Sequence, residues 1–152
     1  MEAAVNIRSS ELDLSDTRQF SLVDYRHGHS YVVIRGFPPM DDKATGGGTH
    51  RVLDLFFTGI DRIACGRDLD NLRLRRASDV ERIVIMERIG RIKTGAEIYF
   101  LESGSVESYV IAQRVYWAEF DLPYGAVSPL AAEERDYREA HPPIGGIVRY
   151  AD

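Results

Sequence analysis

The stretch "VESYVIAQRVYWAEF", residues 106–120, constrains the fold of this chain more than any other. Its β-branched and aromatic residues favour a strand. Alternation places four of its side chains on one face: Tyr109, Ile111, Val115 and Trp117. Fifteen extended residues would span about 50 Å at about 3.3 Å each, which is long for a small sheet. We therefore expect a bend or bulge near Gln113 and Arg114.

Shorter runs of the same kind recur and predict hairpins. "FSLVDY" and "HSYVVIRGF" flank "RHGH", a short connection that contains glycine. "HRVLDLFF" and "TGIDRIAC", with Gly59 as a turn or bulge between them, predict a second hairpin, and "AEIYFLES" pairs with the long stretch in a third. "LRLRR" predicts a strand with one solvated face.

Two segments carry signals of a helix start. Ser78 precedes Glu81 by three residues, which is the spacing of a capping box, although the β-branched "RIVI" inside this segment could also pair as a strand. Ser128 followed by Pro129 predicts a second helix over "SPLAAEERDYREA". These signals predict one or two short helices.

Together these signals predict a mainly β protein (β-rich α+β). We expect a curled antiparallel sheet, either a sandwich or an open barrel, with one or two short helices. We divide the chain into a loose N-terminal arm at residues 1–18, which can add a short edge strand, a single β-rich domain at residues 19–140 and an irregular C-terminal tail at residues 141–152. The glycine-rich stretch 38–49 is expected to be an exposed, mobile loop. Its lysine precedes the glycines, which argues against a phosphate-binding loop.

Composition limits the compartment and the class of function. The single cysteine, Cys65, cannot form an internal disulfide and is expected to be a small core residue rather than a nucleophile. The N-terminal residues lack the basic and apolar regions of a signal peptide, and no apolar run approaches the roughly 20 residues of a membrane span. We expect a cytoplasmic protein without a membrane partner.

Charge is unevenly distributed along a chain whose net charge is −5. Residues 62–93 carry nine basic and five acidic residues, whereas residues 94–152 carry four basic and ten acidic ones. One interpretation is a basic surface that binds nucleic acid through the arginine-rich 62–93 segment. The other, which we favour because the arginines lack interleaved aromatic residues, is that the two parts neutralise each other within the fold or between subunits.

The histidines in "RHGH" offer a metal site as an alternative. If this segment were extended, His27 and His29 would project to one face, and His50 at the start of another strand could approach them. Gly28 between the two histidines favours a turn that separates them. The alternative function is then a small-molecule or metal-binding enzyme with a site near these three residues.

Aromatic residues near the third hairpin suggest a contact surface instead. Large aromatic side chains and arginine dominate protein interfaces. The interface residues that we predict are Tyr109, Arg114, Tyr116 and Trp117, together with a sheet edge. The chain shows no recognisable catalytic motif, so we expect no catalytic residue and no cofactor.

Three stretches, "YVVIRG", "RVLDLFFTGIDRI" and "YVIAQRVYWAEFDLPYGAVSPL", resemble small, uncharacterised bacterial single-domain proteins, some of which are immunity proteins encoded beside secreted toxins. The resemblance covers residues 20–130. It implies a mainly β protein that acts by binding, and it transfers no catalytic residue to this chain. We therefore predict a cytoplasmic, non-enzymatic binding protein, immunity-like, that contacts a protein partner or a second copy of itself.

Overall fold

Nine strands and two helices make up the described part of the chain. The computed structural model describes residues 7–10, 14–39, 48–104 and 107–150. The strands are β1 (Ile7–Ser10), β2 (Leu14–Asp16), β3 (Gln19–Arg26), β4 (Tyr31–Phe37), β5 (His50–Ala64), β6 (Leu72–Arg76), β7 (Glu97–Glu102), β8 (Tyr109–Leu122) and β9 (Ile144–Tyr150). The helices are α1 (Asp79–Ile89) and α2 (Arg135–Ala140). Most of the loop predicted at residues 38–49 lies outside the described residues.

The strands form one curled sheet in the order β2-β6-β7-β8-β5-β4-β3. The first part of β8 pairs with β7, and a later part of β8 pairs with β9. All the pairs are antiparallel except β1 with β9. Phe20 in β3 exchanges backbone hydrogen bonds of 2.7 and 2.8 Å with Leu69, three residues before β6. The two ends of the curl therefore approach each other without closing a barrel. The predicted mainly β class, with a curled antiparallel sheet and two short helices, is confirmed.

The inner face of the curl holds the main core. Leu53, Leu55 and Phe57 alternate into it from β5, as their period of two predicts, and pack among buried residues of the other strands. Described residues cover the outer face in two places. Ile85 of α1 packs against β7 and β8, and the segment that follows β8 contributes Leu130 to a third cluster.

The hairpin predicted around Gly59 is wrong, because β5 runs through this residue as one strand of 15 residues. Gly59 instead takes a φ of +67° beside a register shift between Ile60 and Arg62. A Cβ atom on this glycine would lie 2.6 Å from the side chain of Gln113 on β8, so both the backbone conformation and the close approach require glycine. The bulge that the sequence offered as an alternative is what forms.

The irregularity expected in β8 occurs at Gln113 and Arg114, which are both exposed although they are consecutive. It changes which side chains share a face. Trp117 packs in the main core, whereas Ile111 packs on the outer side against the α1 cluster. The prediction of one face shared by Tyr109, Ile111, Val115 and Trp117 is therefore wrong, because alternation holds only within each half of the strand.

Helix α1 begins where the capping box predicts. The hydroxyl of Ser78 accepts a hydrogen bond from the Glu81 amide, and the Glu81 carboxylate accepts one from the Ser78 amide. The second helix is shorter than predicted. Ser128 closes a turn with Ala131, and α2 begins only at Arg135. The serine therefore caps a turn rather than a helix.

The capping glutamate gives α1 a pH dependence that can be measured. The guanidinium of Arg75 and the backbone of Ser78 lower the pKa of Glu81 from 4.5 to about 2. A carboxylate with a lowered pKa stabilises the fold above its unfolded pKa, and this contribution is lost as the pH falls through the folded pKa. We expect the stability difference between wild type and Glu81→Gln to be complete above about pH 4.5 and to shrink toward pH 2. Urea unfolding across this range measures it, with the exposed Glu107→Gln as the control.

Both ends of the described chain form strands. Ile144–Tyr150 forms β9, so the interpretation of residues 141–152 as an irregular tail is wrong there. Gly145 and Gly146 disfavour a strand. The strand forms because the backbone of β8 has free hydrogen-bonding groups on this side and because Val148 packs in the core beside Trp117. In the N-terminal arm, β1 pairs with β9 and β2 pairs with β6. The edge strand expected from the arm is therefore present.

Candidate binding surface

The "RHGH" connection is a turn between β3 and β4. Ser30 donates its amide hydrogen to the carbonyl of His27 at 3.1 Å, which closes the hairpin. The ring of His27 lies 3.4 Å from the hydroxyl of Tyr25, and Nε2 of His29 lies 3.4 Å from the carboxylate of Glu133. Both histidines therefore belong to a solvent-exposed turn, as Gly28 suggested.

The three histidines do not come together. Tyr31, next to the turn, pairs with Thr58 of β5, and His50 lies eight residues earlier on that strand. Eight extended residues span about 26 Å, so His50 lies at the far end of the sheet from His27 and His29. In the described ranges, no group of three or more histidine, cysteine or acidic side chains is placed to hold a metal ion. The metal site predicted from these residues has no geometric basis.

A cleft of about 440 Å³ lies on the outer face beside the turn. It separates the turn end of the β3–β4 hairpin from the segment at 127–137. Its ionisable lining is three carboxylates, one guanidinium, one imidazole and two phenols: Asp24, Glu133, Glu134, Arg26, His29, Tyr31 and Tyr137. A cleft of this size falls within the range of ligand sites, and it includes His29 of the predicted set.

The two tyrosines of the cleft are hydrogen-bond donors rather than acids. The hydroxyl of Tyr31 donates to Asp24 at 2.9 Å, and that of Tyr137 donates to the carbonyl of Val127 at 2.5 Å. Burial, followed by the Asp24 carboxylate, raises the pKa of Tyr31, and burial also raises the pKa of Tyr137. Both phenols therefore stay protonated near neutral pH and offer the cleft recognition rather than acid–base chemistry.

A buried ion pair anchors the segment that forms one wall of the cleft. Arg35 of β4 donates two hydrogen bonds to Asp54 of β5, at 2.7 and 2.9 Å, and a third to the carbonyl of Ala126 at 2.6 Å. Both charged side chains are buried. The sequence showed Asp54 among apolar neighbours but not its partner, because only the β4–β5 register places Arg35 opposite it.

Strand β3 is the last strand of the sheet order, and it presents an open edge with apolar side chains. Among the described residues, it pairs only with β4 along its length, apart from the bridge at Phe20. Leu22, Val23 and Tyr25 are 40, 41 and 47% exposed. The β3–β4 register shifts between Leu22 and Asp24, which leaves Val23 as an additional residue. The sequence predicted contact at a sheet edge, but it did not indicate which strand forms it.

The interface residues predicted on β8 do not form one surface. Trp117 is buried in the main core, and Tyr109 packs against Phe100. Tyr116 points to the opposite face, with its ring 6.3 Å from that of Phe56, and Arg114 is exposed. Trp117 is therefore a core residue, and the interface role of the other three stays a prediction.

Three ion pairs join the basic part of the chain to the acidic part. Arg75 is hydrogen-bonded to Glu102, Arg82 lies 3.4 Å from Glu97, and Arg88 lies 3.7 Å from Glu107. Each pair joins the arginine-rich 62–93 segment to the acidic part that follows it. Such pairs are what the neutralisation interpretation predicts, and binding of nucleic acid stays an alternative prediction.

Cys65 is a partly buried residue packed against the main core. Burial raises the pKa of its thiol, which disfavours the nucleophilic thiolate at neutral pH. Its environment fits the structural role expected from the sequence.

Comparison with known proteins finds no match: no protein-family model, no curated protein and no solved structure aligns with this chain. No helix within the described residues is both long and apolar enough to cross a membrane.

Proposed function

We propose that this protein is a non-catalytic interaction protein that binds an extended segment of a protein partner along the open edge of β3. The observation that carries this proposal is the edge itself. Unpaired backbone groups on an edge strand are a template for another strand, and apolar side chains beside them favour association. Leu22, Val23 and Tyr25 supply such side chains.

The cleft beside β3 can give the interaction specificity for particular side chains of the partner. In strand addition, backbone hydrogen bonds give affinity and pockets for alternate side chains give specificity. Asp24 and Arg26 belong both to β3 and to the lining of the cleft, so an added strand would run along its rim. Three carboxylates against one guanidinium, in a chain of net charge −5, favour a basic side chain from the partner.

This mode of action agrees with the immunity-like role that the sequence resemblance implies. A protein of that kind neutralises a toxin by binding it and needs no catalytic group. A single, partly buried thiol fits a reducing compartment such as the cytoplasm, which we propose as its location.

The first test uses a random-peptide display library panned against the purified protein. We expect the enriched peptides to alternate apolar residues with a lysine or arginine. Tyr25→Lys should weaken their binding at least about tenfold, because it replaces an exposed apolar contact with a charge that repels the basic peptide. Isothermal titration calorimetry measures the loss. Ile83→Lys on α1, where the apolar side chain is 58% exposed against 47% for Tyr25, is the matched control and should leave the affinity unchanged.

A second readout locates the bound peptide. Hydrogen exchange should slow at those amides of residues 21–26 that point away from β4 when the peptide is bound, because they gain strand partners. Glu133→Lys should lower the affinity for basic peptides while leaving the fold intact, since this side chain is largely exposed. Enriched peptides that bind wild type and Tyr25→Lys equally, or that protect α1 instead of β3, would refute the proposal.

A further inference from the structure

Arg149 on β9 carries an unsatisfied hydrogen-bond donor. Its Nε atom is buried and makes no hydrogen bond, and its guanidinium forms no ion pair with any described residue. Buried polar groups of native proteins are hydrogen-bonded with few exceptions, so each exception calls for a physical reason. Because the residue as a whole is only partly buried, its terminal nitrogens stay accessible. The buried part of the side chain therefore holds in place a guanidinium that a ligand can reach.

A second arginine lies beside Arg149 on the outer face of the sheet. The β8–β9 register places Arg149 opposite Tyr116, and Arg114 precedes Tyr116 by two residues on β8. The β5–β8 register is unbroken over residues 114–116, and Val115 between them packs in the main core. Alternation therefore puts Arg114 on the outer face with Tyr116. Arg114 and Arg149 are diagonal neighbours, about 7–8 Å apart. Arg114 is exposed, and it forms no ion pair with a described residue.

Two aromatic rings lie next to this pair of arginines. The ring of Tyr116 lies 6.3 Å from that of Phe56 on β5, and both residues are partly exposed. Within the described residues the hydroxyl of Tyr116 has no hydrogen-bond partner, so it offers a further donor beside the two guanidinium groups. The ring of Phe56 offers an apolar surface on which a planar group can pack. The site therefore combines two cations, one neutral donor and one ring.

We propose that Arg114, Tyr116 and Arg149 form a binding site for an aromatic phosphate monoester. A phosphate monoester carries a charge of about −1.5 to −2 at pH 7, which matches two arginines, and its three terminal oxygens accept several hydrogen bonds. Arginine donates pairs of N–H groups that fit the geometry of phosphate oxygens. The phosphate lies between the two guanidinium groups, and the ester ring packs on Phe56. A carboxylate has one charge and two oxygens, so it binds this site more weakly.

The acidic cleft near β3 is a separate site on the same face. Phe56 stands between the two, because its ring lies 5.3 Å from that of Tyr31 in the cleft and 6.3 Å from that of Tyr116. The cleft carboxylates have nearer partners: Asp24 accepts a hydrogen bond from Tyr31. Glu133 likewise lies 3.4 Å from the imidazole of the turn. The phosphate site therefore selects the opposite charge from the cleft and does not depend on the proposed binding to β3.

Nuclear magnetic resonance titration of the full chain with phenyl phosphate tests the proposal. We expect saturable shifts of the amides of residues 114–116 and 148–150, with a dissociation constant on the order of millimolar. Arg149→Gln and Arg114→Gln should each weaken binding about tenfold, because each removes charged hydrogen bonds to the phosphate. Arg73→Gln on β6, which changes another exposed arginine, is the matched control and should bind as wild type does. Thermal unfolding confirms that each variant is folded.

A comparison of three probes separates the phosphate from the ring. Phenyl phosphate should bind more tightly than inorganic phosphate, which lacks the ring, and more tightly than benzoate, which lacks the second charge. Phe56→Leu should remove the preference for phenyl phosphate over inorganic phosphate and leave the affinity for inorganic phosphate unchanged. Absence of saturable shifts, equal losses in Arg73→Gln and Arg149→Gln, or benzoate binding as tightly as phenyl phosphate would each overturn the proposal.

Discussion

Asp54→Ala is expected to lower the free energy of unfolding by about 3–5 kcal/mol, because it leaves the buried guanidinium of Arg35 without its countercharge. The wild-type pair makes two hydrogen bonds, and both side chains are buried. When one partner is removed, the other remains buried as an uncompensated charge, which carries the full desolvation cost. Urea unfolding followed by circular dichroism measures the loss.

Two controls separate burial from charge. Arg51→Ala removes an exposed partner of Glu119 and should cost at most about 1 kcal/mol. The double variant Arg35→Met with Asp54→Leu removes both charges and should be more stable than Asp54→Ala. If Asp54→Ala were no more destabilising than Arg51→Ala, the pair would not support the fold in the way the geometry indicates.

Trp117→Ala is expected to cost about 3–5 kcal/mol, the range for deleting a large aromatic side chain from a core. Trp117 is buried in the main core, beside Val148 of β9 in the paired strand. The substitution removes this packing and loosens β9 as well. Thermal or urea unfolding measures the loss, and hydrogen exchange should show the amides of β9 opening first.

Tyr116→Ala is the matched control for Trp117→Ala. The two residues are neighbours on β8, yet Tyr116 points to the outer face and is only partly buried. It should cost clearly less than Trp117→Ala. A fully stable Trp117→Ala variant that loses association would instead restore the role at an interface that the sequence suggested for this residue.

Local patterns in the sequence determined much of this protein. Alternation along the runs of residues 20–37 and 97–122 predicts the two hairpins that form, and Ser78 with Glu81 predicts α1 in spite of the β-branched residues inside it. The glycine of "RHGH" predicts the turn. These features involve residues close in sequence, so propensity, capping and turn chemistry are sufficient to define them.

Only the tertiary structure decided which distant segments pair and in what register. The tertiary structure places Arg35 opposite Asp54 and continues β5 as one strand through Gly59. It also pairs β9 with β8 and buries Trp117 in the core. The same register separated His50 from the turn histidines. Periodicity gives the two faces of a strand but not its neighbours, and a shift of one residue exchanges those faces. Pairing partners are fixed by the joint packing of the whole curled sheet, which no local window of the sequence contains.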